Sequence, residues 1–133
     1  MLSVYDNLGS VSPYAPQDHT LENLLDLDGD IYVIDEGGGY WVKFEIKRVI
    51  PSPERPHGIE YSLTMHDAQN RRLVGFDNAH PVGRKRGRRY IVAHDHCHHL
   101  GRTRTYRYEN AAKLVADFWE AVEEAVNVEG RTR

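Results

Sequence analysis

Hydrophobic and polar positions follow two different periods along this chain. Over its first half the period is two. Tyr40, Val42, Phe44 and Ile46 alternate with Trp41, Lys43, Glu45 and Lys47, and Ile59, Tyr61, Leu63 and Met65 alternate with Glu60, Ser62, Thr64 and His66. Such alternation marks antiparallel strands with one buried face and one wet face. Ile31 to Asp35 reads as a short strand before them. The Glu36-Gly37-Gly38-Gly39 segment between them reads as a hairpin loop, because glycine reaches positive φ without steric cost. Pro51, Pro53 and Pro56 forbid regular pairing. Asp67 to Asn70 then turns the chain into a strand from Arg72 to Asp77. Pro81 to Gly87 reads as a loop, Tyr90 to Cys97 as a strand and Thr103 to Tyr108 as another.

At both ends the period becomes helical. Asp18 or Thr20 is placed to cap a short helix through Leu21, Leu24 and Leu25, stopping before the Asp28-Gly29 turn pair. Asn110 is placed to cap a long one, in which Ala111, Leu114, Val115, Phe118, Val122 and Ala125 form one stripe. Lys113, Asp117, Glu120, Glu123 and Glu124 form the opposite face, and Phe118 and Trp119 read as core or rim aromatics. Residues 1–17 read as an irregular arm and Gly130 to Arg133 as a frayed tail. The expectation is an α+β fold in two layers, a single domain over residues 18–129. A twisted antiparallel sheet of about five or six strands is packed by a C-terminal amphipathic helix, with a short N-terminal helix beside it.

Composition changes this picture little. At 133 residues, 40% hydrophobic and 28% charged, the chain has the balance of one globular domain. No apolar run approaches the ~20 residues of a membrane span. Met1 to Ser10 lacks the basic and apolar regions of a secretory signal. Cys97 is the lone cysteine and has no disulfide partner. A cytoplasmic protein fits these features. Charge matters more through its placement than through its sum of -3. Acids crowd the N-terminal third and the last helix. Arginines concentrate between Arg84 and Arg107, which predicts a basic face on an acidic body.

Within that basic stretch lies His94-Asp95-His96-Cys97-His98-His99. Imidazole moves protons near neutral pH or ligates metals, and guanidinium grips phosphate through paired hydrogen bonds. On a strand, His94, His96 and His98 share one face, with Asp95, Cys97 and His99 on the other. The pattern fits a metal site as well as an acid–base pair about one phosphate. Gly75-Phe76-Asp77-Asn78-Ala79-His80 ends the neighbouring strand, so His80 can join this cluster. Glu54-Arg55-Pro56-His57-Gly58 reads as a substrate-facing loop. Arg84 to Arg89 with Tyr90 suits single-stranded nucleic acid, and equally an acidic protein. Cys97 reads as a half-buried thiol without a nucleophilic role.

Leu27-Asp28-Gly29, Tyr40 to Glu45, Pro53 to Leu63, Gly75 to His80, Asp95 to His98 and Phe118-Trp119 follow one another in an order and spacing that resembles the TumE family, toxins of prokaryotic toxin–antitoxin pairs. The resemblance implies a small cytoplasmic toxin held inactive by an antitoxin, expected to be a helix-turn-helix protein. It implies RNA or the translation machinery as target. It carries over to His57, Asp77, Asn78, His80, Asp95, His96 and His98, and leaves His94 and His99 aside.

The leading expectation is thus a metal-independent endoribonuclease. His80 and His96 would exchange protons, helped by His98 and His57. Asp95 or Asp77 would fix a tautomer, and Asp77 and Asn78 would have a structural or orienting role. Arg55, Arg88, Arg89, Arg102 and Tyr90 would hold RNA. No cofactor is required, although a divalent metal on His96, His98, Asp95 and His80 is the alternative. A third reading has no catalysis, only binding of RNA or the translation machinery. A homodimer is left open, and no membrane is expected.

Overall fold

The structure, a computed structural model, describes residues 18–35, 37–78, 85–86, 89–90 and 95–131, the side chains of 85, 86, 89, 90 and 131 excepted. The expected arm, Glu36, Pro81 to Arg84, Arg88, His80 and His94 lie outside those residues.

Six strands form one antiparallel sheet: β1 (Ile31–Asp35), β2 (Tyr40–Arg48), β3 (Ile59–His66), β4 (Arg72–Asp77), β7 (His96–His99) and β8 (Arg102–Thr105), in that spatial order. A small separate pair, β5 (Lys85–Arg86) with β6 (Arg89–Tyr90), lies between β4 and β7 in sequence. Two helices complete the fold, α1 (Leu21–Leu25) and α2 (Ala111–Arg131). The expected architecture is therefore found, with local corrections. The expected loop from Pro81 to Gly87 contributes β5, and the expected strand from Tyr90 to Cys97 contributes its ends to β6 and β7. β8 stops at Thr105 rather than Tyr108, and Gly130 belongs to α2 rather than to a frayed tail.

The inner face of the sheet packs on α2. Its rows run across the strands, as in Phe44, Leu63, Phe76 and Cys97. Phe118 is fully buried against them, edge-on to Phe44 at 5.5 Å and to Phe76 at 6.1 Å. Leu114, Val122 and Ala125 continue the stripe, as the helical period requires.

The start of α2 is held by more than its own cap. Asn110 accepts the Lys113 N–H, while Asp18 accepts that of Ala111 at 2.6 Å and Thr20 that of Ala112 at 3.0 Å. Thr20 thus occupies the N-cap position of α1 but gives its hydroxyl to Asp18 and serves α2 instead. Burial raises the Asp18 carboxyl, and hydrogen bonds from Thr20, Ala111 and Tyr108 outweigh it and hold the carboxyl below its usual value. Asp18→Ala should cost about 1–2 kcal/mol, the scale of a lost cap, read as a lower urea midpoint.

Two turns set the register that matters for function. Leu100 and Gly101 both have positive φ, 51° and 89°, and close the two-residue β7–β8 hairpin. That hairpin places Thr103 opposite His98. Between β3 and β4 the register shifts, so that Met65 pairs with Val74 and His66 with Arg72, leaving Leu73 as an extra residue.

Candidate active site on the outer face

The face of the sheet away from α2 carries the side chains that alternate with the core. On β4 and β7 these are Gly75, Asp77, His96 and His98, because Gly75 pairs with His98 and Asp77 with His96. Cys97 and His99 point to the α2 side, where His99 Nδ1 lies 3.6 Å from Glu124. The run of histidines is thus divided by strand alternation, as its spacing predicts. Cys97 is a half-buried free thiol, and burial raises its pKa.

Asp77 and His96 are buried, and His96 Nε2 sits 3.0 Å from Asp77 Oδ1. This is a close contact without the alignment of a hydrogen bond, since neither Asp77 Oδ1 nor His96 Nδ1 has a hydrogen-bond partner among the described residues. His98 lies beside them, its ring edge-on to that of His96 at 4.9 Å and its Nε2 3.9 Å from Asp77 Oδ2. Its Nδ1 is 2.9 Å from the Thr103 hydroxyl, which fixes the ring and leaves Nε2 turned toward Asp77. Burial, then the charges of Arg72 and His96, push the His98 pKa below the ordinary imidazole value against a smaller pull from Asp77. His98 is therefore neutral at neutral pH. One ligand atom from each of Asp77, His96 and His98 can be chosen so that all lie within 4.8 Å of one another, so these three could also hold a metal ion.

Arg72 reaches this group through the bulge. Strict alternation would send it to the α2 side with Val74 and Phe76. The extra residue, Leu73, is buried instead, and the Arg72 side chain runs over Gly75, where a Cβ would lie 3.4 Å from its Cδ. The sequence reading missed Arg72 because a one-residue register shift has no signature in the pattern of side chains.

The other expected site residues are placed elsewhere. Asp95 accepts the Tyr61 hydroxyl at 2.7 Å, and Tyr61 is buried on the inner face, which raises its pKa. The His57 ring lies against that of Tyr108, tilted by 34° with centroids 4.0 Å apart, and burial lowers its pKa against smaller pulls from Asp95 and Asp18. Asp95 and His57 therefore belong to a second polar group near the start of α2, not to Asp77, His96 and His98. Asn78 is hydrogen-bonded to the neighbouring strand. Its Oδ1 accepts the Tyr61 N–H and its Nδ2 donates to the Ile59 carbonyl, tying the end of β4 to β3. Arg55 sits in a half-buried turn in which its N–H donates to the Ser52 hydroxyl. Arg102 is exposed at the start of β8, and Arg89 and Tyr90 form β6. Of the expected proton carriers, the outer-face group holds His96 and His98, while His80 and Arg88 lie outside the described residues.

No helix among the described residues is long and apolar enough to cross a membrane. Comparisons with curated proteins and with solved structures each found no match. A family model described as Toxin TumE matches residues 18–126, which span α1, the whole sheet, most of α2 and the Asp77–His96–His98 group. With most of its length inside that match, the chain belongs to the TumE family, toxins of toxin–antitoxin modules.

Proposed function

We propose that this toxin cleaves RNA without a metal, using the outer-face group of Asp77, His96 and His98. The observation that carries the reading is a half-buried imidazole set beside a second imidazole, a buried carboxylate and a guanidinium. His98 Nε2 removes the proton of a ribose 2'-hydroxyl. The 2'-oxygen attacks the adjacent phosphorus, and the bond to the 5'-oxygen breaks. His96 supplies the proton that the departing 5'-oxygen takes up, and Asp77 orients its ring. Arg72 stabilises the added negative charge of the phosphorane. The products are a 2',3'-cyclic phosphate and a 5'-hydroxyl. The family implies an antitoxin partner that restrains this activity.

The test is cleavage of single-stranded RNA by the purified toxin after exhaustive chelation. Undiminished cleavage is expected. A second reading rests on the closeness of the same three side chains, which could act as ligands to a divalent ion. Loss of cleavage in chelator, restored by one metal, would decide for that reading.

The depressed imidazoles also set a pH dependence. His57, His66 and His98 all have lowered pKa values, with burial as the largest cause in each. The unfolded chain takes up their protons at about pH 6.5, and the folded chain only at lower pH. The unfolded state therefore binds more protons there, and stability falls as pH drops below that value. Urea midpoints should be flat just above about pH 6.5 and decline below it. The acid limb of cleavage should follow His98 and lie below the usual imidazole range.

A further inference from the structure

The outer face continues from His98 toward the β1 edge, and its character changes along the way. Register sets Thr64 and Gly75 beside His98, then His66 beside Arg72, then Trp41 beside His66, and last Val33 beside Trp41. The Arg72 side chain is exposed and makes no ion pair or hydrogen bond with any described residue, whereas those of Arg48, Arg71, Lys43 and Lys113 are each paired with an acid. It lies between two imidazoles, and its charge lowers the pKa of both His66 and His98. The Trp41 and His66 rings are stacked at 4.2 Å and 17°. His66 Nε2 is held by the Thr64 hydroxyl at 2.9 Å, and the ring also meets the backbone of Asn70. Trp41 is half-buried, and Val33 beyond it is 63% exposed.

A free guanidinium, a flat aromatic pair and a bare aliphatic side chain thus follow one another away from the proposed cleavage site. Successive groups are set apart by the spacing of neighbouring strands. Single-stranded nucleic acid presents the complement, a phosphate followed by flat bases that stack on aromatic rings. We propose that this strip is a nucleotide subsite for single-stranded RNA, in which Arg72 grips the scissile phosphate and Trp41 stacks on a neighbouring base. The proposal rests on the reading of the outer face as an RNA-cleaving site. The β-bulge is the device that makes it work, because it moves Arg72 from the core side of the sheet to this one.

The test uses a short single strand of 2'-O-methyl RNA, which binds but lacks the hydroxyl needed for cleavage. Its affinity for the full chain is measured by fluorescence anisotropy over a range of salt. Trp41→Leu should weaken binding about tenfold, within the range for one lost base stack, and Trp41→Tyr should restore most of it. Arg72→Gln, a change at an exposed side chain, should weaken binding and reduce the salt slope by about one. Wild-type affinity and salt slope in both Trp41→Leu and Arg72→Gln would overturn the subsite. So would a result in which they weaken only the complex with the antitoxin, since the strip would then be a protein interface. If the wild type never cleaves RNA and both substitutions still weaken the probe, the subsite stands and the catalytic reading falls. If it cleaves and neither substitution matters, the reverse holds.

Discussion

His98→Ala is expected to lower RNA cleavage by about a hundred- to ten-thousand-fold, the usual contribution of one positioned acid or base. The folded state should persist. The His98 side chain is 22% exposed, and its fixed contacts are to Thr103 and to the edges of Asp77 and His96, none of them in the core. Circular dichroism and the melting temperature should therefore change little, while growth inhibition in cells disappears. His96→Ala should lose a comparable factor. It also leaves Asp77, a buried carboxylate, without its nearest imidazole, so some loss of stability is expected there. Comparing the two variants separates chemistry from structure, because only His98 is free of the second effect.

Phe118→Ala is expected to destabilise the domain by about 3–5 kcal/mol, the range for a large aromatic removed from a packed core. Its ring is fully buried and meets Phe44, Phe76 and Trp119. It joins the helix to β2 and β4 at once, and β4 carries Asp77 at its end. A cavity there loosens the strand that aligns the site with β7. Urea denaturation should show the loss directly, and the protein that remains folded should cleave with near-native chemistry. A variant as stable as the wild type would mean that α2 does not pack on the sheet as described.

The fold was legible because its two periods are strong. Tyr40 to Lys47 and Ile59 to His66 alternate without interruption, and Ala111 to Ala125 forms a clean helical stripe, so both layers could be read before any coordinates. What alternation alone could not give was Arg72. Its neighbours Val74 and Phe76 point into the core, and only the extra residue Leu73 turns it outward. Asp95 and His57 are placed with Tyr61 and Tyr108 rather than with the outer-face imidazoles. Asp95 precedes His96 by one residue, and that single step moves a side chain to the other face of a sheet. The motif around His57 carries no sign that its ring lies against Tyr108. The pairing of β4 with β7, which makes neighbours of Asp77 and His96, was anticipated from their order in the chain.

The central claim is that paired imidazoles on the outer face drive attack by the 2'-oxygen on the neighbouring phosphate. Analysis of the ends left on an RNA oligonucleotide by metal-free toxin tests it most directly. The account predicts 2',3'-cyclic phosphate and 5'-hydroxyl ends, and complete protection of an otherwise identical strand with a 2'-O-methyl group at the cleaved position. Ends bearing a 5'-phosphate, cleavage of the protected strand, or no cleavage by a toxin that still arrests growth would contradict it.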